Sequence, residues 1–496
     1  MSKLKIPFKS LIRNAAGDDR ESLKGKLIYG IFWNLISALA SQGFPMIAAI
    51  IAARLLGKFG YGQLGMINST VILFSTFAGL GLGITATKYI AQLHQTDPER
   101  TGRIMGLTNL FGLASGVVMC IILFVMAPWL AANTLAAPDL APALRIASLL
   151  LIFNTLVGIQ SGSIAGFGAF KDLARIAIFQ GIISASLTIT GVYFFGLTGA
   201  VTAMVINSII NFILYKRTIN NLVKRFKISI NYMKSWRERD VIWKLSLPSM
   251  LSSVMVGPVV WIANVIIINT PGGYGQLGLF NAADQWRTAL AFLPGVIGTV
   301  LLPMLAANNE ENENIEKLNV LISWIVVIII ALPLISFPEI ISVLYGNNYY
   351  STGFIEVLAL MIFVSCITSY REGISRKLVV KNLMWWGVLD NVLWAFFLIG
   401  SVMLLKNLGA LGLSLSYIIA YALNTLLFVP FYLWKEVVPR DMIISKEIFL
   451  LWAILVVQTI LTLLNISNLI KFISLTVSFI VIILIFQYKW NFGNFN

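Results

Sequence analysis

The sequence predicts an all-α integral membrane protein of about fourteen spans, built as two six-helix lobes with two extra C-terminal helices. Three observations carry that expectation. The first is composition: 58% of the 496 residues are hydrophobic and only 11% are charged, with a mean hydropathy of +0.85, whereas a soluble domain carries roughly 25% charged residues. The second is that the apolar residues lie in long continuous runs, each about the length of a helix crossing a ~30 Å hydrocarbon core. Continuous runs favour a helical bundle over a β-barrel, whose strands alternate. The third is a phrase written twice, GYGQLGMIN at 60–68 and GYGQLGLFN at 273–281, 213 positions apart.

In chain order, the basic tail 1–26 precedes a first span over 27–53 that closes at Arg54. This tail lacks the layout of a cleavable signal, and its spaced Leu4, Ile6, Phe8, Leu11 and Ile12 suit either a surface amphipathic helix or a disordered basic arm. The second span, 63–88, ends on Lys88, and Asp97-Pro98 then breaks the chain before the third, 104–127. Pro138-Asp139 and Pro142 separate that span from the fourth, 143–165, which the fifth and sixth follow at 173–195 and 197–217. A basic linker over 218–240 leads to the seventh span, 241–268, and Pro271-Gly272-Gly273 turns the chain into the eighth, 276–304. The ninth, 318–337, and tenth, 354–371, flank the breaker Gly346-Asn347-Asn348. The remaining four are expected at 383–405, 408–433, 446–465 and 467–488.

The basic residues sort by side. In alternate loops stand only Arg54, Lys58, Arg145, Lys406 and Lys471; the other set holds the N-terminal tail, the 216–244 stretch, Arg371 to Lys381 and Lys435 to Lys446. The positive-inside rule makes the rich side cytoplasmic, which places both termini inside. The net charge of +15 therefore lines one membrane face, and nucleic acid is not an expected partner, since no binding motif accompanies it. Cys120 and Cys366 sit in apolar runs and read as packing residues, and with His94 as the single histidine no metal site is expected.

Both phrases fall after an odd-numbered span with six helices between them, so the repeat is parallel and its pseudo-two-fold axis lies along the membrane normal. Phe44-Pro45 and Gly257-Pro258 keep the same offset, and Gly199-Ala200 echoes Gly409-Ala410 at 210. The expected divisions are an N-lobe at 27–217, a C-lobe at 241–434, and helices 13–14 with a tail at 435–496. Glycine in the phrase suits positive φ and close backbone approach in a tight turn, and its tyrosine suits the interfacial belt. Pro45 and Pro258 are candidate hinges, because proline inside a helix removes a hydrogen bond and bends it.

The stretch ARLLGKFGYGQLGMINSTVILFSTFAGLGLGITATKYIA, 53–91, resembles the opening of polysaccharide-biosynthesis flippases, the O-antigen and oligosaccharide-lipid branch of the superfamily that also holds lipid II flippases and multidrug extruders. The resemblance implies two lobes in a V that move an undecaprenyl-diphosphate-linked glycan across a bacterial cytoplasmic membrane. It also implies a cavity lined by the first, second, seventh and eighth helices, and polysaccharide polymerase and glycosyltransferases as candidate partners. No catalytic residue and no cofactor are implied; proton or sodium coupling is compatible with it.

The residues can test this. Asn34, Ser37, Ser41 and Pro45 share one face of the first span, and Ser246, Ser249 and Ser253 one face of the seventh; such serines suit either a wet cavity or close helix packing. Asn281, Asp284 and Thr288 form a face of the eighth, beside Arg287. Arg287 lies about 16 Å inside from Gln276 at 1.5 Å per residue, near mid-membrane, where an ionisable group defaults to a cavity or a partner. Asp284 is three residues before it, so the two can pair; the equivalents in the first copy are Val71 and Phe74. Arg287 is the candidate contact for a diphosphate, because a guanidinium offers forked donors to phosphate oxygens; a structural ion pair is the alternative. Asp284 would orient it or titrate during coupling. Lys88 is either a headgroup anchor or the first capture point for an incoming diphosphate. Asp390, about 10 Å inside the inner surface, has no local basic partner and is a candidate for ion coupling or for pairing with another helix. A glycosyltransferase is disfavoured, because the longest outward loops, near 128–142 and 338–353, are short and nearly uncharged. The rivals within the same fold are a drug or organic-cation extruder and a lipid II flippase.

Overall fold

The computed structural model describes residues 23–246, 254–307, 313–346, 349, 353–381 and 383–489; the side chains of 23–40 and 302–315 fall outside that description. Among the described residues there are helices and no strands. Five helices make up the first part: α1 (Leu23–Gly79), α2 (Leu82–Leu93), α3 (Pro98–Trp129), α4 (Ala141–Gly166) and α5 (Phe170–Arg225). Seven follow: α6 (Val256–Ile268), α7 (Gly273–Ala307), α8 (Glu313–Ser336), the short α9 (Glu339–Tyr345), α10 (Phe354–Val380), α11 (Met384–Leu405) and α12 (Gly409–Trp434). The chain closes with α13 (Lys446–Leu463) and α14 (Asn468–Lys489).

Nine helical stretches among the described residues are long and apolar enough to cross a membrane. Three of them, Ser41–Gly79, Phe170–Arg225 and Trp385–Trp434, have about the residues two crossings need at ~20 apiece. Two of these long helices owe their bends to glycine: α1 runs through Gly57 (φ 66°, ψ 173°) and α5 through Gly196 (φ 54°, ψ −133°). A side chain there would meet its own backbone, and glycine has none. α5 runs past its expected end at 217 to Arg225, into the segment read as a linker. The expected second span is broken, because Leu80 and Gly81 both take positive φ and α2 starts afresh at Leu82. At α3, Asp97 caps the helix by accepting from Arg100 N at 2.9 Å with Pro98 in the first turn, the chemistry that Asp-Pro announces.

Duplication shows in backbone angles. Gly196 and Gly409 stand 213 positions apart, the offset of the repeated phrase, and adopt nearly the same conformation, Gly409 having φ 59° and ψ −128°. The expected echo of Gly199 with Gly409 is therefore three residues out of register. Its true partner is Gly412: both lie so near a preceding backbone that a Cβ would fall about 2 Å from a carbonyl, Gly191 O in one case and Leu405 O in the other.

α1 packs on α5 and α4, and α3 on α4; α7 packs on α10, α8 on α10, and α11 on α12, while α1 also meets α7. α13 and α14 lie against α8, and α13 also against α10. They are fastened by buried polar groups: Gln458 Nε2 donates to Ser336 Oγ at 2.7 Å, Thr462 Oγ1 to Ile335 O at 2.8 Å, and Lys471 Nζ to Glu339 Oε1 at 3.3 Å. Lys471, counted with the outer-side bases, is thus in the first turn of α14 and 1% exposed. Cys120 and Cys366 are free and buried, and His94 is edge-on to the rings of Phe167 and Phe226.

Candidate substrate cavity

The repeated phrase places the site. Its glycines are helical and make no turn, contrary to expectation; the positive φ sits just ahead, at Gly57 and at Gly272 (φ 69°). They serve instead to let the two copies cross. A Cβ on Gly62 would lie 1.9 Å from Tyr274 O, and one on Gly278 would lie 1.8 Å from Lys58 O. Only glycine permits backbones that close. The tyrosines are buried rather than interfacial, Tyr61 at 8% exposure and Tyr274 at 6%, and Tyr274 Oη donates to Leu135 O at 2.7 Å. At this end Asn269 Nδ2 also donates to Thr134 O at 3.0 Å, and Tyr349 Oη to Ala53 O at 3.3 Å. The two halves are sealed together there. Towards the basic loops, Thr85 Oγ1 and Ser246 Oγ join them at 2.7 Å.

Beneath the crossing is a cavity of about 720 Å³ walled by both halves. From α1 come Pro45, Tyr61, Gly65, Asn68, Ser69 and Thr76, from α5 Ser184 and Thr188, from α6 Gly257 and Asn264, and from α7 Asn281, Asp284 and Gln285. On the second half of α1 the spacing 61, 65, 68, 72, 76 is a helical stripe. Asn264 Nδ2 donates to Ser69 Oγ at 3.1 Å and Trp261 Nε1 to Thr70 Oγ1 at 3.0 Å across the junction. Two buried polar atoms of this wall, Asn281 Nδ2 and Asn264 Oδ1, have no hydrogen-bond partner among the described residues. Such an atom costs about 1–3 kcal/mol unless water or a ligand meets it.

The predicted site residues divide. Asn281 and Asp284 line the cavity, as does Pro45. Arg287 is not on the described wall: its Nε donates to Asp284 Oδ1, and Tyr417 and Tyr421 of α12 lie within its electrostatic range. The guanidinium therefore stands behind Asp284, inside the second lobe. Lys88 is exposed on α2 and away from the described wall. Asn34 lies on α1 with its side chain outside the described residues, and Ser249 and Ser253 also lie outside them. Pro258 is in the first turn of α6, where proline has no helical hydrogen bond to break; it does not match the mid-helix Pro45.

Asp390 has no basic partner on its own helix and pairs with another, the second of its two expected roles. Arg371 Nη2 of α10 donates to its Oδ2 at 2.5 Å, Arg371 Nη1 to Thr425 Oγ1 at 2.9 Å, and Asn424 Nδ2 to Asp390 Oδ1 at 3.0 Å. α10 and α11 are antiparallel neighbours joined near 381–383, so residues on either side of that turn meet although nineteen apart in sequence. The pair borders a second cavity of about 450 Å³ with Glu372, Ser375, Tyr421 and Tyr432. Sequence reasoning also missed Tyr61, Asn68, Ser69 and Asn264. One signal was present for Asn68: it and Asn281 are the ninth letter of the two copies, and both face the cavity.

Two helical halves related by duplication, with a partly polar cavity between them and an apolar exterior, define the class as a multi-pass helical membrane protein. A solved lipid II flippase MurJ, in an inward closed conformation, shares this fold with a TM-score of 0.67 at 14% identity, over 93% of this chain and 99% of that one. An inward-facing multidrug resistance MATE family transporter of the MOP superfamily aligns with a TM-score of 0.61 at 15% identity, over 82% and 98%. In sequence, the EPS I polysaccharide export inner membrane protein EpsE of Ralstonia nicotianae is 26% identical over 56% of this chain, an alignment that spans 63% of that relative's length. The lipid III flippase of Escherichia coli K12 is 22% identical over 57% of this chain and 67% of its own length. The polysaccharide biosynthesis protein family model matches residues 27–309, more than half of the sequence. The chain belongs to that family.

Proposed function

We propose that the protein flips an undecaprenyl-diphosphate-linked oligosaccharide, an O-antigen or exopolysaccharide repeat unit, from the cytoplasmic to the outer leaflet of a bacterial inner membrane by alternating access. The observation that carries this reading is the cavity walled by both halves, with amide, hydroxyl and carboxylate side chains on its wall, in a chain of a polysaccharide-biosynthesis family. We take 27–217 and 241–434 as the moving lobes, the side of the basic loops as cytoplasmic, and the glycine crossing as the outer seal. Substrate then enters from the cytoplasm, with Lys88 as a first contact and Asn281 and Asn34 as hydrogen-bonding groups. Asp284 holds Arg287 in reserve; the diphosphate displaces the carboxylate and takes the guanidinium's forked donors. Protonation of Asp284 or Asp390 would loosen its arginine and supply an ion-coupled step. Pro45 is the better hinge, since Pro258 starts a helix.

One observation favours a second reading. The charged side chain on the described wall is Asp284, which suits an organic cation and hence an extruder. Glycan export in a deletion strain complemented with the native chain, Arg287→Gln, Asp284→Asn or the swapped pair separates the two. The flippase reading expects export to fall at least about tenfold for Arg287→Gln at normal protein level, equivalent to about 1.4 kcal/mol, with the swap failing to restore it. Full export by Arg287→Gln removes the diphosphate role. A deletion that spares glycan export and sensitises cells to cationic dyes replaces the flippase with the extruder.

A further inference from the structure

The segment 226–243 after α5 is fastened to α3 and carries an apolar surface that nothing among the described residues covers. Asn231 N donates to Gly102 O at 3.4 Å, and Glu238, itself buried, accepts from Arg100 Nε at 3.0 Å and Arg103 Nε at 3.1 Å at the start of α3. Trp236 stacks on Phe111, ring centres 5.7 Å apart. Held this way, Tyr232 is 51% exposed, Met233 95%, Trp236 59% and Trp243 69%. Four large apolar side chains so close together in water would be costly. Between them stand Lys234, Arg237 and Arg239, all exposed, and the preceding turn of α5 ends on exposed Lys224 and Arg225. Of the segment's two acids, Glu238 is already spent on α3, and Asp240 alone is outnumbered by the exposed Lys234, Arg237 and Arg239.

We infer that residues 226–243 form a docking surface for anionic phospholipid headgroups of the adjoining leaflet, aromatic rings at headgroup level and bases on the phosphates. Rings of Trp and Tyr settle at the membrane–water interface, and exposed bases beside an anionic leaflet gain with each charge. A zwitterionic surface would satisfy the rings and leave the bases in excess of their counter-charge, so the charge pattern selects an anionic lipid. Because Glu238 bolts the segment to α3, headgroups bound there are fixed to the first lobe. The inference is independent of the transported substrate.

The test uses the full chain with Cys120→Ser, Cys366→Ser and Met233→Cys, the new thiol carrying an environment-sensitive fluorophore, in nanodiscs. Raising phosphatidylglycerol from zero to thirty mole per cent in phosphatidylcholine should shift the emission to the blue, and high salt should weaken the effect. Adding Lys234→Gln, Arg237→Gln and Arg239→Gln should raise the half-saturating phosphatidylglycerol fraction by about fivefold or more. The three bases are exposed, so the variant should fold; retention of phosphatidylglycerol by the unlabelled protein in native mass spectrometry gives a second readout, expected to fall in parallel. Emission and lipid retention indifferent to phosphatidylglycerol, or identical in the triple variant, overturn the inference.

Discussion

Arg371 and Asp390 have side chains only 14% and 15% exposed, so each depends on the other for its charge. Removing one partner of such a pair leaves a buried charge uncompensated and costs about 3–5 kcal/mol, whereas replacing both with apolar residues of like volume can be near neutral. Asp390→Asn should therefore lower the midpoint of thermal unfolding in detergent by several degrees, while Arg371→Met with Asp390→Leu should recover most of it. Equal losses in the two variants would contradict a simple pairing. If Asp390 also carries coupling protons, the double variant will be stable and inactive, and the two roles separate. Asp390 shows what a sequence withholds: its cost was legible in WWGVLDNVLWAFF, but its partner was not. Pairing across a helical hairpin depends on where the turn falls, and the turn near 381–383 has no proline to mark it. The adjacency of Asp284 and Arg287 was legible, being three residues on one helix. That Arg287 stands off the described cavity wall was not, because the wall is assembled from four helices.

The crossing of α1 with α7 depends on the absence of two side chains. A Cβ at Gly278 would overlap Lys58 O, and a branched residue cannot be accommodated without parting the helices. Gly278→Val should therefore open the seal. In a background lacking Cys120 and Cys366, a cysteine at Ser69 should be labelled from the outer side several-fold faster than in the native phrase. Unchanged labelling would mean that the crossing does not close the cavity. At this scale the repeat was plain from the letters, as was its offset of 213. The use of its glycines was not, since GYG reads equally as a turn and as a helix contact; only the partner helix decides. The break inside the expected second span was similarly hidden, because Leu80 adopts a positive φ that leucine rarely takes.

For the molecule as a whole, composition alone established a helical membrane protein, and duplication established two halves. Which residues face each other across the halves required the fold. The account makes the cavity the substrate's path, with Asn281 on its wall and its Nδ2 without a hydrogen-bond partner among the described residues. Asn281→Leu should keep the protein folded, since it removes an unpartnered polar group rather than a made bond, and should slow transport several-fold. Destabilisation instead would show that the amide is structural. The most direct measurement is translocation of a fluorescent undecaprenyl-diphosphate-linked oligosaccharide in proteoliposomes, followed by its accessibility to a membrane-impermeant quencher. The account predicts movement with the native chain and at least about tenfold less with Arg287→Gln. No movement with the native chain, or equal movement with both, would contradict it.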